Sequence, residues 1–269
     1  MEYSEIMFDE EAEVAFNHRL TADTWLMGLR SARIAKVARP GQFVMIRVSR
    51  GIDPLLRRPF SIGGIEKNLF LVLYRVVGRG TAILTQIEDG ERLSVLGPLG
   101  KGFELPARGI TPILVGGGIG VAPLCFLAQS LGKTKAEFMM GFASAGAILR
   151  LKHVKTTHIK ISLSTDDGTK GHTGFVTDLL EKYLKKRGLD KDALSLFACG
   201  PKLMLKKVAR IASGYHLSWQ VSLEASMACG LGACQGCAIK TSQMERRPYY
   251  HVCEDGPVFE AGAIDWDNL

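Results

Sequence analysis

Apolar and polar positions change rhythm twice along the chain. Over roughly the first hundred residues the apolar runs are short: 42–48 alternate loosely and 69–77 are rich in branched and aromatic side chains. Breaks fall at Gly41, Gly63-Gly64, Asp89-Gly90 and Gly97-Pro98. Short β-prone runs between such turns predict a small antiparallel barrel. From about Thr111 apolar strands at 112–115, 137–142, 159–164, 194–198 and 220–223 alternate with helices at 122–131, 174–186 and 202–213. That alternation predicts an α/β domain with a parallel sheet. Residues 103–109, with Pro106, join the two parts. After Glu224 the periodic apolar positions are too sparse for a separate core, so the tail needs a staple. The expected division is 1–107 for the barrel, 108–223 for the α/β domain and 224–269 for a small C-terminal domain.

Cysteine placement supplies the staple. Cys125 and Cys199 stand apart, whereas Cys229, Cys234, Cys237 and Cys253 crowd into 25 residues with spacing C-x4-C-x2-C-x15-C. This is the plant-type spacing for a 2Fe–2S cluster held by four thiolates. Gly230, Gly232 and Gly236 interleave with them, as a chain wrapping an inorganic core requires. A structural zinc, the other reading, usually shows two C-x2-C-like pairs, and Cys253 has no such neighbour.

Composition narrows the class. At 269 residues, 46% hydrophobic and 23% charged, the chain is long enough for two modest domains and too apolar for disorder. The net charge of +7 is spread along the sequence, with no basic run interleaved with aromatics, so nucleic-acid binding is not expected. Glu2, Glu5, Asp9, Glu10, Glu11 and Glu13 argue against a secretory signal, and a cytoplasmic protein is expected. Residues 109–132 carry no charge, but Pro112, Pro123 and four glycines read as strand, tight turn and helix rather than a membrane span.

Three loops at strand ends carry candidate nucleotide chemistry. Gly116-Gly117-Gly118-Ile119-Gly120 lies between a predicted strand and helix, where glycines admit a pyrophosphate to the helix N-terminus. The run does not match G-x-G-x-x-G, and a packed turn without ligand is the other reading. Cys199-Gly200-Pro201 ends a later strand, on the side where α/β sheets bind ligands. Asp166 and Asp167 end another; an acid there bonds a ribose hydroxyl and repels a 2′-phosphate, favouring NAD over NADP. In the barrel, Arg58-Pro59-Phe60-Ser61 offers a phosphate-clamping cation and a hydroxyl. Leu73-Tyr74-Arg75 and Gly78-Arg79-Gly80-Thr81 follow with an aromatic, further cations and a glycine turn.

In sequence, R-P-x-S, Y-R-V-x-G-x-G-T, G-G-G-I-G-x-A-P and A-C-G-P resemble the ferredoxin–NADP reductase superfamily. The tail, with Glu224-x-x-Met227-x-Cys229 and Cys253-x-Asp255-Gly256-Pro257-Val258-Phe259, is similar to electron-transfer subunits of class B dihydroorotate dehydrogenases. The resemblance implies FAD on the barrel at Arg58, Pro59, Phe60, Ser61, Leu73, Tyr74, Arg75, Gly80 and Thr81. It implies NAD at Gly117, Gly118, Gly120, Asp166, Cys199, Gly200 and Pro201, and a 2Fe–2S cluster on Cys229, Cys234, Cys237 and Cys253. It also implies an FMN-containing catalytic subunit as partner, in a heterotetramer of two of each, with electrons passing from FMN through the cluster and FAD to NAD+. Two other readings stand beside it: a flavin and iron–sulfur subunit of a hydrogenase or ferredoxin-dependent complex, and a zinc-stapled module without redox function.

Overall fold

The computed structural model describes residues 6–149, 157–187 and 193–269. Strands β1 (Phe8–Arg19), β2 (Thr24–Arg30), β3 (Phe43–Ile46), β4 (Arg58–Glu66), β5 (Leu69–Arg75) and β6 (Arg92–Leu99) close the expected barrel. Its order is β1-β2-β5-β4-β3-β6, and every pairing is antiparallel. Two short helices decorate it, α1 (Ala32–Val37) and α2 (Arg79–Leu84). Alternation fills the interior: Val44, Ile46, Ile62, Phe70, Val72 and Val95 are buried together. Asn17 ties α2 to the barrel wall, donating to the carbonyls of Leu84 (2.8 Å) and Ile87 (3.0 Å) while accepting from the Tyr74 hydroxyl (3.0 Å).

The second sheet contains β7 (Thr111–Gly117), β8 (Ala136–Phe142), β9 (Ile159–Thr165), β10 (His172–Thr173), β11 (Leu194–Cys199) and β12 (Trp219–Ser222), all parallel. Helices α3 (Val121–Ser130), α4 (Val176–Arg187) and α5 (Lys202–Gly214) cover it. Neighbouring residues face opposite layers. Ile113, Val115, Leu196 and Ala198 pack with α4 and α5, whereas Leu114, Phe138 and Phe197 pack with α3. Among the described residues no helix is long and apolar enough to cross a membrane.

The tail adds a hairpin, β13 (Ala238–Lys240) and β14 (Tyr249–His251), and a last strand, β15 (Val258–Glu260). β15 pairs antiparallel with β12, so the sheet order is β10-β9-β8-β7-β11-β12-β15. The sparse apolar residues of the tail therefore share the α/β core. Val252, Phe259 and Ile264 are buried in it, and Trp266 stacks on Trp219 at 5.2 Å.

Two glutamines fasten the barrel side to the α/β domain. Gln129 on α3 accepts from the Ile65 N–H (2.9 Å) and donates to the Ile65 carbonyl (2.6 Å). Gln220 on β12 does the same for Glu104 in the connecting segment, at 2.9 and 3.3 Å.

Candidate functional site

The four tail cysteines meet as two pairs. The sulfurs of Cys237 and Cys253 lie 3.3 Å apart, both buried. Cys229 accepts from the N–H groups of Leu231 and Cys234, each at 3.4 Å, and Cys234 is exposed. Gly232 N–H donates to Cys253 Sγ (3.1 Å) and Cys253 N–H to Cys237 Sγ (3.4 Å). Burial opposes ionisation of Cys229, but the N–H donors of Leu231 and Cys234 prevail and bring its thiol down to about 7. Burial, reinforced by Cys237, pushes Cys253 up to about 12. Among the described residues no three His, Cys, Asp or Glu converge as a mononuclear metal site requires. Two thiol pairs with N–H groups on the sulfurs fit a two-iron cluster better than a single zinc. Gly230 and Gly232 both adopt φ +77°, as the wrapping chain demands, whereas Gly236 does not take a positive φ.

On the barrel, the adjacent arginines do different work. Arg57 donates to the carbonyl of Ser94 (3.0 Å), to Ser94 Oγ (3.0 Å) and to Asp9 (2.9 Å), which commits it to the wall. Arg58 donates to the backbone carbonyls of Leu56 (2.6 Å) and Arg57 (3.4 Å). A Cβ on Gly80 would lie 3.0 Å from Arg58 Nε, so a bare backbone is what lets this guanidinium lie against α2. Among the described residues this cation bonds to carbonyls and to no acid, and beside a glycine surface it fits a phosphate-bearing cofactor. Thr81 is nearby, its hydroxyl accepting from Val77 N–H (3.0 Å) and Gly78 N–H (3.2 Å) to shape the turn. Pro59 and Ser61 alternate with Phe60 and Ile62, which are buried with the barrel core. Leu73 faces the α/β domain, packed with Phe103, Leu114 and Val121, and Arg75 follows on the same strand face. Tyr74 points the other way, buried against Phe60 and Trp25; burial pushes its hydroxyl up to about 12. Tyr74 can therefore meet a ligand on the outer face only through its backbone.

The glycine loop differs from its expected layout. Gly116 and Gly117 belong to β7, and the turn proper is Gly118–Gly120. The strand extends through pairing of Gly116 with Cys199 and Met140 and of Gly117 with Gly141, and there is no room for a side chain: a Cβ on Gly117 would lie 2.6 Å from Met204 Sδ and 2.9 Å from Pro201 Cδ. A Cβ on Gly120 would lie 2.6 Å from the Cys199 carbonyl oxygen and from Gly200 N and Cα. The structure thus brings Gly117, Gly120, Cys199, Gly200 and Pro201 into one cradle at the carboxyl ends of β7 and β11. Gly118, with φ +55°, has nothing within 4 Å of a Cβ position and opens the cradle outward. The Cys199 side chain is buried and burial pushes its thiol up, so this residue contributes backbone rather than a thiolate. At the end of β9, Asp167 closes its own turn. It accepts from Thr169 Oγ1 (2.6 Å) and N–H (3.0 Å), contacts that hold its carboxyl below the usual range. Asp166 is exposed beside it.

Glu224 is a site residue to which sequence reasoning assigned no role. It follows β12 and is exposed, with Arg75 of the barrel and Cys199 of β11 in its electrostatic reach. Partial desolvation raises its carboxyl above the usual range, with Arg75 opposing, and Glu224 in turn raises the Cys199 thiol. The available signal was its place at the head of the tail motif, just past a strand's carboxyl end.

Comparison with known proteins agrees with this arrangement. Residues 224–265 match the family model described as the iron–sulfur cluster binding domain of dihydroorotate dehydrogenase B. A Desulforamulus reducens protein named dihydroorotate dehydrogenase B (NAD(+)), electron transfer subunit, is 36% identical, over 96% of this chain and 98% of the relative. A Geobacillus thermodenitrificans protein of the same name is 40% identical, over 96% and 99%. A solved structure of an NADH-dependent reduced ferredoxin–NADP oxidoreductase superposes with a TM-score of 0.83 at 28% identity, covering 96% of this chain and 91% of that one. The chain belongs to the family of dihydroorotate dehydrogenase B (NAD+) electron-transfer subunits.

Proposed function

We propose that this chain takes electrons from the FMN of a catalytic subunit that oxidises dihydroorotate to orotate and delivers them through a 2Fe–2S cluster and FAD to NAD+, in pyrimidine biosynthesis. The observation that carries this reading is the paired, N–H-bonded set Cys229/Cys234 and Cys237/Cys253. A flavin accepts or gives a hydride pair and also exchanges single electrons, so it belongs between a one-electron cluster and a two-electron nicotinamide.

The chain's part is to hold these groups in place. Arg58 would grip the FAD pyrophosphate, with Gly80 and Thr81 shaping the turn beneath it. Pro59, Phe60 and Ser61 would run along the flavin, and Leu73, Tyr74 and Arg75 would hold the rest of the cofactor. Gly117, Gly118 and Gly120 would admit the NAD pyrophosphate to the start of α3, where the helix dipole favours its charge. Cys199, Gly200 and Pro201 would form the facing wall, and Asp166 would bond a ribose hydroxyl, selecting NAD over NADP. The division at 107/108 and 223/224 then separates FAD, NAD and cluster domains. A cytoplasmic heterotetramer of two chains and two FMN subunits completes the proposal.

Arg58→Ala is expected to remove a charge-assisted bond worth roughly 1.5–3 kcal/mol, loosening FAD about ten- to a hundredfold. Flavin fluorescence released on dilution measures it, and unchanged FAD retention would count against the assignment.

The deciding experiment co-expresses this chain with an FMN-binding β/α-barrel subunit and assays dihydroorotate. The complex is expected to form orotate and NADH in equal amounts. The lone chain is expected to reduce artificial acceptors with NADH but to form no orotate, because its site residues are all committed to FAD, NAD and the cluster. Orotate from the lone chain would overturn the two-subunit reading. A complex that reduces NAD+ only with ferredoxin or hydrogen as donor would favour the ferredoxin-dependent or hydrogenase alternative.

A further inference from the structure

We infer that a seam of glycines fixes the cluster loop to the outside of the barrel, and that Met45 in this seam sets the distance between cluster and flavin. The inference rests on the cofactor placement proposed above and adds the route between two of the groups.

The residue after Cys229 is the starting point. Gly230 is buried with φ +77°, and a Cβ there would lie 2.6 Å from Met45 Cγ and 3.1 Å from its Sδ. Met45 is fully buried on β3, yet it does not belong to the barrel interior. It packs with Leu99, Cys237 and Cys253, whereas its neighbours Val44 and Ile46 fill the barrel. Directly across the ladder, Met45 pairs with Pro59 and Phe43 with Ser61. Residues directly opposite in an antiparallel pair project on the same face. Met45 therefore stands beside the flavin-motif strand on one side and against the cluster loop on the other.

The second arm of the tail is fastened to the same surface. A Cβ on Gly100 would lie 2.6 Å from the Gly256 carbonyl oxygen and from Pro257 Cδ, and Lys101 N–H donates to that carbonyl at 2.5 Å. A Cβ on Gly41 would lie 2.6 Å from Val258 Cγ2. Both cysteine-bearing segments are thus seated on the barrel by contacts that only glycine permits. Electron tunnelling falls exponentially with distance, so displacing the loop by a methyl group slows transfer without touching either cofactor's ligands. One electron crosses at a time, from flavin reduced by the hydride of NADH to the oxidised cluster, and no bond or proton crosses with it. Methionine suits the seam because its polarizable thioether fills irregular gaps.

The test uses the holoprotein reduced anaerobically by NADH in a stopped-flow spectrometer, with flavin and cluster bleaching followed separately. In cluster-replete samples Gly230→Ala is expected to slow cluster bleaching at least several-fold by pushing the loop outward, and Met45→Ala, which leaves a gap for the loop to settle into, to speed it, with flavin bleaching as in the parent. The double variant is expected to recover part of the rate, because shortening Met45 makes room for the added methyl while the strain of φ +77° on a non-glycine residue remains. Met45→Leu, which conserves volume, is expected to stay near the parent. If Gly230→Ala assembles no cluster, Met45→Ala alone decides. Parental cluster bleaching in any cluster-bearing alanine single variant, or a double variant no faster than Gly230→Ala, would overturn the seam. A parent protein that binds no flavin or cluster would instead refute the proposed function.

Discussion

Cys253→Ser is expected to empty the cluster site and unfasten the tail together. Cys253 is buried, its sulfur 3.3 Å from Cys237 Sγ and bonded by Gly232 N–H. A serine hydroxyl in its place would leave one iron short of a thiolate and a polar oxygen in an apolar pocket. Metal binding is folding energy for a segment that cannot bury enough surface alone. The loss should therefore spread to the adjoining turn and to β15, five residues on. Expected results are near-complete loss of iron and labile sulfide, and proteolytic cleavage within 224–269. NADH-driven reduction of small acceptors should survive, because the residues proposed for FAD and NAD lie elsewhere. Iron retained at the parental level would contradict the ligand assignment. Cys125, buried on α3 with its thiol pushed up by burial, should tolerate serine with no loss of iron.

Gly120→Ala is expected to have the largest effect on the nucleotide cradle. Its Cβ would meet the Cys199 carbonyl oxygen and Gly200 backbone at 2.6 Å, and backbone cannot swing aside as a side chain can. Overpacking of this kind costs about 1–3 kcal/mol. Each kcal/mol lowers Tm by about 2–4 °C in a protein of similar size. Because β7 and β11 must separate to accept the methyl, the cradle opens, and KM for NADH is expected to rise about tenfold, equivalent to roughly 1.4 kcal/mol of lost binding. Flavin content, set by the barrel, should not change. Gly132→Ala, beyond the far end of α3, is the control: nothing lies within 4 Å of a Cβ there, and only the strain of φ +59° on a non-glycine residue applies, about 1–2 kcal/mol. Equal KM values for the two variants would show that the close approach of the two turns is not what shapes the site.

The parallel sheet was the most legible part of the sequence. β7 and β11 carry nearly continuous apolar runs buried on both faces, and observed limits such as Ile159–Thr165 and Leu194–Cys199 fall within a residue or so of expectation. The cysteine spacing was equally plain, and the structure brings the four residues together as two pairs. β1 was hidden: Asp9, Glu10, Glu11 and Glu13 break the apolar pattern, and only Ala12 and Val14 turn inward. α2 read as a glycine turn because Gly78 and Gly80 suggest punctuation, although Gly78 caps a helix held by Thr81. Local pattern could not separate Arg57 from Arg58, since their roles depend on Asp9 and Ser94, partners 48 and 37 residues from Arg57. The same limit concealed Glu224, whose surroundings come from Arg75 and Cys199 in two other parts of the fold.

The pairing of β15 with β12 also bears on how such a chain can be rearranged. An exposed sheet edge presents unpaired N–H and C=O groups and invites association with other chains. Here that edge beside β12 is covered by three residues from beyond the last cysteine. Cutting the chain before the cysteines would remove more than a redox group: it would leave β12 as a sticky border and take Trp266 away from Trp219. The iron–sulfur region is therefore a poor cassette for exchange between reductases, because a graft that carries only the cysteine loop forfeits the strand that keeps the host sheet from aggregating.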